Sequence, residues 1–189
     1  MLFLSAKSTR KEFHPDMVLE ILPKLMITHV QNLIKEFTHI SILALRRLVN
    51  FIRLFHLCIE LFPEVRAKLD AKIEEFLAHP QKRVKDYCSS LGDFLSFVTV
   101  SSKFKFGDIL DAYLSEQMDR QAFWILQEIP ELDHQDPKYK NKVVVLEEHR
   151  SEACFKTGLI GFHITLFYQY LNKIIIEQNY SNDPAKLIE

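Results

Sequence analysis

The sequence predicts an all-α protein, an irregular bundle of about seven or eight helices with no regular repeat. Apolar residues recur at helical spacing in nearly every segment of the chain. Only 4 of the 189 residues are Gly, too few for the tight turns of a β-rich fold. Pro63, Pro80 and Pro130 stand where apolar patterns stop, as expected at helix ends. We expect a single helical domain over residues 1–189, because a chain of this length buries a sizeable core.

Three helices are predicted in the first part of the chain. Asp16 caps the first helix. Pro23 predicts a kink or a break within it, because Pro removes a backbone donor. Ser41 caps the second helix, over residues 42–62, and the third covers residues 64–78. A polar segment with a short helix and a turn follows.

Residues 91–126 form the predicted packing centre, since they contain the only Trp, Trp124, and two of the four Gly. Helices are expected to start near Leu91, near Asp108 and again near Asp119. We predict that Trp124 is largely buried, because a lone Trp usually anchors a core. Its predicted neighbours are Phe94, Tyr113 and Phe123.

The last third of the chain predicts a loop followed by a long helix. Residues 131–142 contain almost no apolar side chain and are the clearest loop. Residues 143–178 form one helix, or two if Gly158 and Gly161 break it. These two Gly allow a second backbone to come close, so we expect a tight helix crossing there. The tail, residues 179–189, is predicted to be frayed.

Composition argues against several classes of function. A net charge of -1 and a pI near 6.7 give no basic field, so no nucleic-acid partner is expected. The apolar stretch 157–176 is interrupted by polar side chains, which predicts a buried helix and no membrane span. The three Cys include no CxxC pair, which argues against a disulfide scaffold or a zinc site. Reduced thiols favour a cytoplasmic location.

No catalytic or nucleotide-binding motif appears, so we predict no enzyme, no cofactor and no catalytic or metal-binding residue. The alternative is a thiol-dependent enzyme or transfer protein that uses Cys88 or Cys154. Cys88 is the better candidate, because a short basic cluster precedes it and would lower the pKa of its thiol. That cluster consists of Lys82, Arg83 and Lys85.

The His residues are interpreted as structural. His149 and Glu152 share a helix face, but a metal ion would need two further ligands. His163 lies on an apolar helix, as a core or interface His does.

The tripeptide at residues 14–16 matches that of J domains and resembles the His-Pro-Asn of ubiquitin-conjugating enzymes. The residues before the tripeptide are too few for the two upstream helices of a J domain. Ubiquitin-conjugating enzymes place a catalytic Cys shortly downstream, whereas the first Cys here is Cys58, on a predicted helix. A helix start is the favoured role.

Three segments, HPDMVLEILPKLM, LGDFLSFVTVS and LSEQMDRQAFWILQEIPEL, carry a family resemblance. Together they resemble an uncharacterised helical region of large eukaryotic multidomain proteins, some of which have ubiquitin-conjugating-type domains. The resemblance extends from His14 to about Tyr170. It implies a helical fold and no active residue, because the Cys arrangement of the conjugating enzymes is absent.

These observations favour a non-catalytic helical module that binds a protein partner or scaffolds an assembly. Two predicted binding regions expose apolar residues beside polar segments. One is the N-terminal arm, residues 1–13, with Leu2, Phe3 and Leu4, and the other is the run Val143, Val144, Val145 and Leu146. A small-ligand site between helices is the alternative. The sequence leaves open the partner, the pathway, the oligomeric state and whether the chain is a fragment.

Overall fold

The computed structural model describes residues 14–35 and 42–177. In these residues it contains six α-helices and no strand, which confirms the all-α class. The helices are α1 (Met17–Lys35), α2 (Ile42–Leu61), α3 (Pro63–Ala78), α4 (Leu91–Val98), α5 (Phe106–Glu128) and α6 (Val143–Glu177). The predicted arm with Leu2, Phe3 and Leu4, the cap Ser41 and the tail 179–189 lie outside the described residues.

The described residues form six helices instead of seven or eight because α5 and α6 are each continuous. Asp119 lies inside α5 and does not begin a new helix. An ion pair between Arg120 and Glu116, with 2.7 Å between Nε and Oε1, spans the predicted boundary at i,i+4 spacing. Of the two alternatives for the last helix, α6 is the single one, unbroken at Gly158 and Gly161. Of the kink or break predicted at Pro23, the break is absent, since α1 continues through this buried residue.

Other helix ends agree with the sequence patterns. Ser90 caps α4, because its hydroxyl accepts the backbone N–H of Asp93 at 3.1 Å. Asp108 lies in the first turn of α5, where its carboxylate accepts the backbone N–H of Lys105 at 2.8 Å. Pro63 is the first residue of α3, a position where the backbone N–H makes no hydrogen bond within the helix, so the N–H that Pro lacks is not needed.

The main core forms around α1 and α4. α1 packs against α2, α3, α4 and α6, while the short α4 also contacts α3 and α5. Phe94 of α4 stacks on Phe76 of α3 with ring centroids 4.0 Å apart. α6 is joined to α4 by a hydrogen bond of 2.8 Å between the hydroxyls of Tyr168 and Ser96, both fully buried. Burial raises the pKa of Tyr168, so this hydroxyl stays protonated.

A second, smaller core lies where α5, the connecting segment and α6 meet. Its buried members are Ile125, Leu132, Tyr139 and Leu146. Trp124 packs against this cluster with most of its side chain covered, which agrees with its predicted burial, but its predicted neighbours are wrong. Of its predicted neighbours, Phe94 and Tyr113 belong to the main core and Phe123 is 55% exposed. The reason is that the C-terminal part of α5 extends past the main core.

The predicted loop 131–142 contains no α-helix, but it is more ordered than its polar composition indicates. It includes part of one 3₁₀ turn, Pro130–Leu132, and the whole of another, Pro137–Tyr139. Leu132 and Tyr139 anchor it in the second core. The Tyr139 hydroxyl also lies 2.8 Å from Nδ1 of His149 on α6. Nε of Arg150 donates to the Leu132 carbonyl at 3.0 Å, so apolar contacts and hydrogen bonds together hold this segment against α6.

α1 and α4 approach each other closely at Gly92. A Cβ atom at this position would lie 2.6 Å from both Cγ1 and Cδ1 of Ile27 on α1. Any larger residue must push the two helices apart or force Ile27 from its rotamer. At Gly107, near the start of α5, a Cβ atom would instead lie in open space, with no such neighbour within 4 Å.

We expect Gly92→Ala to lower the free energy of unfolding by about 1–3 kcal/mol through overpacking. Gly107→Ala is the matched control and should leave stability unchanged or raise it by up to about 1 kcal/mol, since Ala is the better helix former. Urea unfolding monitored by circular dichroism measures both. Equal stability of the two variants would contradict the close α1–α4 contact.

Candidate functional site

The apolar run at the start of α6 is exposed only in part. Val143 and Val144 are 66% and 82% exposed, and Val145 is 38% exposed. Leu146 is 2% exposed and belongs to the second core, so its prediction as a partner-binding residue is wrong. Successive helical residues are rotated by about 100°, and four in a row cannot all face solvent on a packed helix.

A longer exposed surface lies on the side of α6 that faces away from the core. We call it the outer stripe, and it consists of Glu148, Glu152, Phe155, Leu159, Phe162, Leu166, Gln169 and Lys173. All eight residues are exposed, and they are spaced alternately four and three residues apart. The exposed fractions of Phe155, Leu159 and Leu166 are 77%, 52% and 50%. Val145 continues this spacing at the N-terminal end.

The opposite side of α6 is buried. Ile164, Tyr168 and Leu171 point into the main core. The sequence predicts a buried helix over residues 157–176, and in the part whose side chains are described, residues 157–173, the structure buries only one side. Helix α6 has apolar side chains on several sides, and the neighbouring helices cover only some of those sides. The alternating spacing of the outer stripe was visible in the sequence, but composition alone does not show which side stays uncovered.

α5 covers one flank of α6 and leaves the outer stripe open. A Cβ atom at Gly161 would lie 2.5 Å from Nε2 at the end of the Gln117 side chain on α5, and one at Gly158 would make only ordinary contacts, so the predicted approach of a second backbone is found at neither Gly. The Thr165 hydroxyl donates to Oε1 of Gln117 at 3.2 Å, and Gln121 donates to the Thr157 hydroxyl. In these contacts the residues of α6, Thr157, Gly161 and Thr165, are small or polar.

A second exposed apolar row lies on α2. Leu43, Leu54, Leu57 and Leu61 are 58%, 44%, 50% and 62% exposed. Arg47 and Asn50 occupy the same row between them and are also exposed. The row lies opposite the buried face of α2, which contains Leu48, Ile52, Phe55 and Ile59.

The thiol of Cys88 does not have the environment that the sequence predicts. Burial raises its pKa, and the nearby guanidinium of Arg120 lowers it by less. Arg120 donates to the backbone carbonyls of Arg83 and Cys88, while its Nε binds Glu116. The thiol itself donates weakly to the carbonyl oxygen of Ser90, at 3.8 Å.

Two members of the basic cluster expected to lower the pKa of Cys88, Lys82 and Arg83, are engaged elsewhere. Nζ of Lys82 pairs with Glu75 at 3.2 Å. Arg83 donates from Nε and Nη2 to two backbone carbonyls at the end of α3, at 2.7 and 2.8 Å. Cys154, the other candidate thiol, is half-buried and packs against the second core.

We expect the Cys88 thiol to react with a neutral alkylating reagent several-fold more slowly in the native protein than in urea, because a raised pKa leaves less thiolate. The measurement uses Cys58→Ser/Cys154→Ser at pH 8, so that one thiol is followed. A native rate above the denatured rate would indicate an activated thiol and would support the thiol-dependent alternative.

A cavity of about 440 Å³ lies between α1, α3 and α4 and includes the Cys88 region. Its charged lining contains three cations and three anions: Lys24, Lys72, Lys82, Glu20, Glu75 and Asp93. Its apolar lining includes Leu19, Phe76, Phe94 and Phe97. The balanced charges do not favour an anionic or a cationic ligand.

Membrane-spanning helices and metal-binding clusters are both absent from the part of the chain that the structure describes. No helix there is both long and apolar enough to cross a bilayer. No group of three or more His, Cys, Asp or Glu side chains is placed there to hold a metal ion. His149, one of the two residues weighed as metal ligands, bonds Tyr139.

Comparisons with models of known protein families, with curated proteins and with solved structures find no match. The resemblance to the helical region of large multidomain proteins therefore stays a prediction.

Proposed function

We propose that this protein is a non-catalytic helical interaction module that binds a protein partner through the outer stripe of α6. The observation that carries the proposal is the row of four large apolar side chains at its centre, Phe155, Leu159, Phe162 and Leu166, all exposed on one face. Contiguous exposed apolar patches with polar ends are typical of protein-binding surfaces.

The energetics of the outer stripe support this proposal. Fully burying a large apolar side chain that starts exposed is worth about 1.5–3 kcal/mol, and the four central side chains, which are 38–77% exposed, can each gain a corresponding part of it. Four such side chains in a row provide enough driving force to offset a substantial part of the cost of association. The i, i+4, i+7, i+11 spacing of Phe155, Leu159, Phe162 and Leu166 is also the spacing by which one helix recognises another.

The small-ligand alternative rests on the cavity between α1, α3 and α4. Its volume of about 440 Å³ lies within the range of small-molecule sites. Substitutions on the outer stripe leave this cavity untouched, so the two functions separate experimentally. A thermal shift with a lipid or a nucleotide that Phe94→Ala abolishes and Leu159→Glu preserves would favour the ligand-binding function.

Leu159→Glu should abolish capture of the protein partner, because it places a charge at the centre of the outer stripe. Ile160→Glu is the matched control, since Ile160 is the next residue, is 48% exposed against 52% for Leu159, and lies off the stripe. Tagged full-length wild type and both variants are compared by affinity capture and mass spectrometry, and a second copy of the chain counts as a partner. Partners retained by Leu159→Glu at wild-type levels would place the binding surface elsewhere.

A further inference from the structure

The outer stripe has a polarity that runs along α6. From residue 148 to residue 173 it reads Glu, Glu, Phe, Leu, Phe, Leu, Gln, Lys. Its centre is apolar, its N-terminal end is acidic and its C-terminal end is basic. We propose that the outer stripe binds the same stripe of a second copy in the antiparallel orientation, forming a symmetric dimer. This inference rests on the proposed function and names its partner.

The spacing of the stripe matches one side of a coiled coil. Alternating steps of four and three residues are the a and d positions of a heptad repeat, which keep a seam facing a partner helix. At a rise of about 1.5 Å per residue the stripe is about 38 Å long. All of its positions are exposed, and α5 meets α6 on a different side, at Gly161 and Thr165. A second helix can therefore reach the whole length of the stripe.

A two-fold axis between Leu159 and Phe162 brings the apolar residues of the two copies together. It places Leu159 opposite Phe162 of the second copy, and Phe155 opposite Leu166 of the second copy. Each a position then faces a d position, and the four central layers contain only apolar side chains. The same residues form both halves of the contact, as a two-fold interface requires.

The same axis also brings opposite charges together at the two ends. Glu148 faces Lys173 of the second copy, and Glu152 faces Gln169 of the second copy. A parallel arrangement would place Glu148, Glu152 and Lys173 each opposite its own counterpart, which is repulsive. Charge complementarity therefore favours an antiparallel second copy.

The exposed row on α2 does not have this self-complementarity. An axis between Leu54 and Leu57 would place the polar Asn50 opposite Leu61 of a second copy. A parallel arrangement would place Arg47 against itself. The outer stripe of α6 is therefore the better fit of these two surfaces to a second copy.

The first experiment measures the mass of the full-length protein by light scattering and sedimentation over a range of concentrations. We expect a reversible dimer of two 22.3 kDa chains. Leu159→Glu should raise the dimer dissociation constant roughly 100-fold or more, because both copies lose a central contact. Ile160→Glu should leave it within a few-fold of wild type. Circular dichroism and urea unfolding of both variants show that the fold is retained.

The second experiment tests the register in a background with the three native Cys replaced by Ser. Phe155→Cys and Leu166→Cys are made in separate chains and mixed under mild oxidation. The antiparallel register predicts a disulfide between the two variants and little within either variant alone, because identical positions lie about 16 Å apart along the axis. Disulfides within each variant alone would indicate a parallel pair and would overturn the register.

The outcomes separate this inference from the proposed function. A wild-type protein that stays monomeric at all concentrations overturns the homodimer. If Leu159→Glu then still abolishes capture of another protein, the outer stripe binds a different partner and the proposed function stands. If residues 1–13 cover the stripe, the wild type is monomeric and its deletion variant becomes a dimer, which also overturns the inference. A dimer that Leu159→Glu and Ile160→Glu weaken equally would place the interface elsewhere.

Discussion

The position of every other helix depends on how α1 and α4 are packed. α1 contacts four of the five other helices, and α4 also contacts four. The absence of a side chain at Gly92 allows Ile27 to lie directly on the α4 backbone. Close to this contact the buried hydroxyls of Ser96 and Tyr168 satisfy one another, which avoids the cost of two unpaired polar groups. α6 therefore docks on α4 in one orientation.

That orientation decides which side of α6 remains open. Tyr168 and Ile164 must point inward, so residues on the other side, such as Phe155 and Leu166, must point outward. The neighbouring helices cannot surround a 35-residue helix that extends past the main core. The exposed apolar stripe thus follows from the packing of the core. Nothing in the local sequence around residues 155–166 requires it.

The segment between α3 and α4 shows how cationic side chains stabilise a region with few apolar residues. Arg120 on α5 binds two of its backbone carbonyls and is held by the nearly buried Glu116. Arg83 binds the last carbonyls of α3, which otherwise have no helical partner. Arg120 still lowers the pKa of Cys88, but burial of the thiol raises that pKa by more.

The sequence by itself determined the helical class and most helix bounds. The start of α4 at Ser90, the start of α5 near Asp108 and the proline-marked ends depend on local backbone chemistry, which a short window of residues contains. The continuity of α5 was not predictable from the sequence, because Asp119 is compatible with both a helix start and an exposed position within a helix.

Only the tertiary structure decided which apolar residues are covered. Trp124 lies at the second core because α5 is one long helix, and Leu146 is buried because the segment around Tyr139 folds over it. For the candidate site, the sequence predicted exposed Val143, Val144 and Val145 but missed the stripe around Leu159. A helix that is apolar on nearly all sides has no periodic signal that distinguishes its buried side from its open one. That distinction depends on the neighbouring helices, which are distant in sequence.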